Sequence, residues 1–225
     1  MARISRLNES LGSDRTGLVL FDVLQGYLHP SDPAKARFLE ERGILANLQR
    51  LLRGARQAGL TVFYPTGAHA PDGADSVARL TDTDMDLAPL GSGRSVKPRF
   101  HRGSPEAEIA AELAPAEGDV RIPKQRWSAF FQTNLELQLR VRGIETIVIA
   151  GGSTDVGITS TVYVARDLDY GLVVVRDACF SMRGNNHEFF MDRVFPRMAR
   201  VRSVSETLAL MTPAGPQVPR SEENR

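Results

Sequence analysis

Cysteine is nearly absent from this sequence. Cys179 is the only one in 225 residues, which excludes an internal disulfide and any multi-cysteine metal cluster. Long apolar runs are missing as well, and none approaches the roughly 18 residues that span a bilayer. Neither sign of charge is in excess: 28 Lys and Arg stand against 27 Asp and Glu, a formal net charge of +1. That balance leaves no electrostatic footprint for nucleic acid or an anionic membrane surface. The opening stretch MARISRLNESLGSDR is polar and has no apolar centre of the kind a secretory signal carries. The chain is therefore expected to be cytoplasmic.

What remains is a soluble globular composition, 42% hydrophobic and 24% charged, in a length that suits one domain with a full core. That domain is expected over residues 1–211. Residues 212–225, TPAGPQVPRSEENR, are Pro-rich and charged and read as a disordered tail.

Short apolar runs alternate with segments of helical spacing. TGLVLFDVL (residues 16–24), LTVFYPT (60–66), DVRIPK (119–124), ETIVIAG (145–151), GLVVVRDAC (171–179) and ARVRS (199–203) read as strands. Helices are expected over 33–57, 104–113, 132–143, 155–168 and 186–199, with SVSETLALM after the last strand. Residues 67–102 are rich in Gly, Pro, Asp and Arg and read as a long functional loop or lid. The alternation predicts an α/β fold, a three-layer α/β/α sandwich around a mostly parallel, doubly wound sheet. In such sheets ligands bind beyond the carboxyl ends of the strands. That rule selects Asp22, Lys124 and the turn GGSTDVG at residues 151–157.

Asp22 follows four apolar residues, where a carboxylate is costly unless paired or at a strand end. Its plain alternative is a turn former. Lys124 is either a solvated surface lysine or the partner that tunes Asp22. Gly157 is either a small residue where helix and strand pack closely, or a gap that admits water or substrate. Thr154 and Asp155 read as turn and N-cap residues, and Ser153, Thr154, Thr159 and Ser160 have no base adjacent in sequence to activate them. Cys179 reads as core.

These three places, in this order, resemble the isochorismatase-like hydrolase superfamily, also called the cysteine hydrolases. The matching residues are LVLFD, then KQRWSAFFQTNL (124–135), then GGSTDVG followed by VARDLDYGLVVVRDAC (164–179). The resemblance maps Asp22 and Lys124 onto two members of the family's catalytic triad and Gly157 onto the third, the cysteine. It implies a cis peptide at Gly152–Ser153, and an oxyanion hole from the N–H groups of Ser153 and Gly157. It also implies association into homodimers or larger homo-oligomers, to which the aromatic segment 186–199 would contribute.

Glycine at the cysteine position closes the family's covalent route. It matches one branch, the isochorismatases, which hydrolyse a vinyl ether. There the aspartate protonates the enolpyruvyl carbon and water attacks the resulting oxocarbenium ion. That branch carries Tyr-Ala-His where this chain has Ser153, Thr154 and Asp155, so the turn looks like a cysteine hydrolase that lacks its cysteine. The family's zinc-binding members have an Asp-x-His pattern after the second strand. GAHAPDGAD (67–75) offers only His69, so neither metal nor any other cofactor is expected. Arg94, Lys97, Arg99 and Arg102 in GRSVKPRFHRG (93–103) are solvated loop residues or, together, a lure for a carboxylate. Trp127, Phe130 and Arg102 are the candidate substrate contacts. The sequence thus favours thiol-free hydrolysis of a small anionic metabolite, an enolpyruvyl ether first. A non-catalytic binding protein and a thiol-free amide hydrolase stand as alternatives.

Overall fold

The computed structural model describes residues 10–75 and 100–211. The tail at 212–225 and most of the loop expected at 67–102, with Arg94, Lys97 and Arg99, lie outside the described residues.

Six strands form one parallel sheet in the order β3-β2-β1-β4-β5-β6. They are β1 (Thr16–Phe21), β2 (Thr61–Gly67), β3 (Val120–Lys124), β4 (Thr146–Gly152), β5 (Gly171–Phe180) and β6 (Arg200–Arg202). From β1 the chain winds outward through β2 to β3. It then returns to the middle as β4 and winds the other way through β5 to β6. Right-handed crossovers in opposite directions put the connecting helices on opposite faces. That is the doubly wound α/β fold. The switch point falls between β1 and β4, which pair from Thr16↔Thr146 to Phe21↔Gly151. All of Leu18, Val19, Leu20 and Phe21 are buried, as are Val148, Ile149 and Ala150, the pattern of strands covered on both faces.

The first crossover corrects the single helix expected at 33–57. The chain forms α1 (Gln25–Leu28), then α2 (Pro33–Glu41) and α3 (Ile44–Gln57). Asp32 caps α2 by accepting from the Ala34 N–H at 2.9 Å, with Pro33 in the first turn. Gly43 separates the two helices at φ 60°, a left-handed conformation that suits glycine. The amphipathic side of α3 continues that of α2 in sequence, so periodicity alone does not reveal the break.

Three other helices are shorter than expected. Segment 104–113 is two 3₁₀ turns, Pro105–Ala107 and Ala111–Leu113. Between them the backbone runs alongside residues 23–25, with Ala110 N–H donating to Val23 O at 3.0 Å and Gln25 N–H to Glu108 O at 2.7 Å. Pairing with a distant extended segment has displaced helix formation there. Segment 132–143 is helical only in α4 (Leu135–Arg140), and segment 186–199 only in α6 (Asn186–Phe189). Beyond α6 come a π turn (Phe190–Val194) and a 3₁₀ turn (Phe195–Arg197) containing Pro196, which lacks the N–H a helix needs. The segment after β4 opens as a π turn (Thr154–Ile158) before α5 (Thr159–Asp167). Finally α7 (Val204–Leu210) starts on a capping box between Ser203 and Glu206 and packs against α3.

Candidate active site

β1 and β3 flank β2, and their carboxyl ends carry Asp22 and Lys124. Lys124 Nζ donates to Asp22 Oδ2 at 2.7 Å. The other carboxylate oxygen, Oδ1, accepts from Gly67 N–H at 2.8 Å, at the end of the intervening strand. Lys124 pairs in register with Gly67, so its side chain crosses a position without a side chain to reach the acid. Asp22 is 7% exposed and Lys124 5%. A buried pair of this kind persists only if hydrogen bonds complete its solvation, and here both carboxylate oxygens are satisfied. Asp22 also has φ 45°. For a residue other than glycine that conformation costs on the order of 1 kcal/mol, and such strain tends to gather at functional positions. The Asp22 N–H donates to Pro65 O at 2.9 Å, holding the chain there.

β4 ends in Gly151 and Gly152, and the Gly152–Ser153 peptide is cis. Gly151 has φ 120°, and a Cβ there would lie 2.1 Å from the Phe21 carbonyl oxygen, so no other residue fits. The turn that follows is tied to α6 by side chains. Ser153 Oγ donates to Asp155 Oδ1. Asn186 Nδ2 donates to Asp155 Oδ2 at 2.7 Å. Burial alone would raise the Asp155 carboxyl, but hydrogen bonds from Ser153, Asn186 and Ser181 together outweigh it and hold it below the usual value. The expected N-cap role of Asp155 is thus replaced by a tertiary one, and Ser153 occupies the cap position. Thr154, fully buried, has Oγ1 2.9 Å from His187 Nδ1. His187 and Asn186 were not legible as site residues. They lie more than thirty residues downstream, in a segment whose only sequence signal was apolar and aromatic.

Gly157 is where structure and sequence differ most. The position does not leave open space. A Cβ built on Gly157 would lie 2.2 Å from Phe21 Cε1 and 2.5 Å from Cζ. The ring of Phe21 therefore fills the volume into which a side chain at 157 would project. Phe21 is 1% exposed, and Lys124 Nζ sits 4.5 Å from its ring centroid, within cation–π range. Asp22, Lys124 and Gly157 are thus brought around one aromatic ring. The close-packing alternative for Gly157 holds, and the gap expected for water or substrate is closed.

The candidate substrate contacts separate. Arg102 lines a cavity of about 390 Å³ together with Asp75, Gln125, Arg126 and Phe131. Trp127 is about half exposed, and Phe130 packs towards Tyr170 with ring centroids 6.0 Å apart; neither lines that cavity. His69 faces Asp75 at 3.5 Å. Among the described residues no three His, Cys, Asp or Glu side chains are grouped so as to hold a metal ion. Cys179 is buried, and desolvation pushes its thiol up to about 12. A roomier hollow of about 970 Å³, lined by Arg15, Thr16, Thr146 and Arg200 among others, opens at the opposite edge of the sheet. The strands begin there, and neither Asp22 nor Lys124 reaches it.

The chain is 35% identical over 199 residues to the isochorismatase family protein YecD of Escherichia coli O157:H7, covering 88% of this chain and 97% of YecD. It is 31% identical over 183 residues to the ureidoacrylate amidohydrolase RutB of Agrobacterium fabrum, covering 75% and 77%. Among solved structures, an isochorismatase family protein from Burkholderia thailandensis superposes with a TM-score of 0.72 at 27% identity, covering 90% of this chain and 98% of that one. The isochorismatase domain as a family matches residues 16–206, which takes in every strand of the sheet and the Asp22, Lys124 and Gly157 positions, and the chain belongs to that family, whose members are hydrolases.

Proposed function

We propose that this protein hydrolyses a small anionic metabolite through Asp22 and Lys124, without a covalent enzyme intermediate, and that an enolpyruvyl ether is its substrate class. The observation that carries this reading is the buried Asp22–Lys124 pair at the sheet's carboxyl edge, with both carboxylate oxygens accepting hydrogen bonds. A vinyl ether needs a proton before it needs a nucleophile. Asp22 delivers that proton to the terminal carbon, the ether oxygen supplies the electron pair, and an oxocarbenium ion forms. Water adds to it, and the hemiketal collapses to a methyl ketone and an alcohol. Lys124 Nζ passes that proton to Asp22 across the 2.7 Å contact before it is delivered, and the proton released when water adds returns to Lys124. An oxyanion hole from the N–H groups of Ser153 and Gly157 has no part in this cationic route and would act only in amide hydrolysis.

Amide hydrolysis is the second reading, favoured by the likeness to RutB, a ureidoacrylate amidohydrolase. It requires water to attack a carbonyl directly, with no thiol to form an acyl-enzyme, whereas the vinyl ether is first activated by the proton from Asp22. A non-catalytic binding role is the third. Incubation with isochorismate and simpler enolpyruvyl ethers in D₂O separates the three. The proposal expects deuterium in the product methyl group. Ammonia release from ureido or amide substrates, with no ether turnover, replaces it by the second reading. No turnover of either class leaves the binding role.

Association into a homodimer or larger assembly belongs to the same proposal, with Phe189, 54% exposed, in the contact. Light scattering is expected to give a multiple of 24.7 kDa, and a monomer mass at micromolar concentration removes it.

A further inference from the structure

We propose that the cavity beside Lys124 is a carboxylate subsite. In it Arg102 and Arg126 grip the acid group of a one-ring or smaller ligand and Phe131 covers its apolar part. This deepens the proposed function and rests on it for the identity of the reacting end. The recognition itself stands on the cavity. Its volume, about 390 Å³, lies at the small end of ligand pockets, which suits a simple carboxylic acid and excludes a nucleotide or coenzyme. Its charged lining residues are Arg102, Arg126 and Asp75. Asp75 is already engaged: Oδ2 accepts from Ala70 N–H at 2.8 Å and Oδ1 faces His69 at 3.5 Å. The lining thus carries two guanidinium charges against one carboxylate, an excess of one positive charge. Arg126 Nη1 donates to Gln125 O at 2.8 Å and Asp75 O at 3.2 Å. These bonds fix the plane of the guanidinium, and among the described residues the N–H groups of Nε and Nη2 are left for a ligand. A fixed fork loses little freedom when it grips a carboxylate through two parallel bonds. Phe131 is 54% exposed, a large apolar surface beside two cations, and a ligand's hydrocarbon would cover it. Gln125 and Arg126 directly follow Lys124 in the chain, and Ala68 N–H donates to Lys124 O at 2.9 Å. Two residues of extended chain span at most about 7 Å, so Arg126 stands close in the chain to the Asp22–Lys124 pair, which does not itself line the cavity.

The test is a calorimetric comparison of benzoate with benzamide, and of pyruvate with pyruvamide. Each pair has nearly the same shape and differs in charge. The full chain is expected to bind at least one carboxylate about tenfold or more tighter than its amide. Arg102→Gln should remove most of that preference, since its side chain supports no other part of the described structure. Arg126→Lys keeps the charge but not the fork and should reduce the preference as well, in protein that melts at the wild-type temperature. Asp22→Asn should leave it in place. Equal binding of acid and amide, or an acid preference that survives Arg102→Gln and Arg126→Lys together, overturns the subsite. The two proposals fail separately. Carboxylate selectivity without ether turnover removes the chemistry and keeps the subsite, and ether turnover with an unchanged KM in both arginine variants does the reverse.

Discussion

The two halves of the sheet meet at the switch point with different kinds of order. On the β1–β2–β3 side the carboxyl edge holds charge: Asp22 and Lys124 are bonded to each other, with Gly67 N–H completing the acid. On the β4–β5 side it holds architecture. Ser153, Asp155 and Asn186 form one hydrogen-bonded set and Thr154 and His187 another, yet the turn they support surrounds a hydrocarbon ring at Gly157. The difference teaches that the proton-handling half of this site and the half that would carry a nucleophile are physically separable. The first depends on a counter-ion, the second on packing and backbone geometry. Substitutions on the two sides should therefore fail in different ways.

The largest effect is expected on the charged side. Lys124→Met leaves Asp22 buried without its counter-ion. Breaking one partner from such a pair costs about 3–5 kcal/mol, which urea unfolding would register. Asp22→Asn keeps the shape and an acceptor for Gly67 N–H but leaves the Lys124 ammonium buried without its counter-ion, so its cost to stability should be of the same order. It should also abolish turnover, because the proposed route has no other proton donor to the substrate. A folded Lys124→Met protein as stable as wild type would show that the pair is solvated and the charged half is not what it is taken to be here.

The next effect tests the packed side. Gly157→Cys adds a Cβ where Phe21 already lies, and overpacking of this sort costs about 1–3 kcal/mol. Phe21→Val alone opens a cavity, with its own cost. Combined, the two changes relieve each other, and a double-mutant cycle should show favourable coupling of about 1 kcal/mol or more. Only the double variant should present a thiol that reacts readily with iodoacetamide, at a turn whose N–H groups favour thiolate. Cys179, buried with its thiol pushed up to about 12, gives a silent background. Rapid labelling of the single Gly157→Cys variant at wild-type stability would mean that the ring does not occupy that space.

The contrast between the halves also explains what the sequence revealed. The strands, their ends and the places of Asp22 and Lys124 were legible, because apolar runs bounded by turn residues are local signals and the strand-end rule is general. The pairing of Asp22 with Lys124 came from the family spacing, since 102 residues separate them. The filling of the Gly157 position was not legible. Phe21 reads as one more apolar residue in a buried strand, and nothing local marks which glycine its ring will cover. Segment 104–113 misled for the same reason. Its spacing is helical, but its N–H and C=O groups are taken by residues 23–25. The break at Gly43 was hidden by an apolar face that runs on through α2 and α3. In each case a contact distant in sequence outweighed a local preference.

The smallest effect sharpens the architectural half through pH. His187 is largely buried, and desolvation, aided by Arg176 and Arg42 and opposed by Glu188 and Asp192, holds its imidazole below the ordinary value of 6.5. A base whose folded value is depressed takes up its proton more readily in the unfolded chain. As pH falls through about 6.5 the unfolded state gains the proton first, so stability declines until the folded value is passed. One such group contributes a slope of up to about 1.4 kcal/mol per pH unit in that window. Asp155 acts in the same sense but lower on the pH scale. Its depressed carboxyl contributes stability above the ordinary value of 3.8, and that contribution is lost only as pH falls below it. Unfolding measured between pH 5 and 7 therefore separates His187 from Asp155, and the comparison with a variant at 187 assigns the change. His187→Asn keeps an amide near Thr154 Oγ1 but removes the titration, and it should flatten the wild-type decline over this range. If wild type and His187→Asn lose stability in parallel, the imidazole is not held neutral in the fold. The bond to Thr154 would then not be what fixes the turn around Gly157.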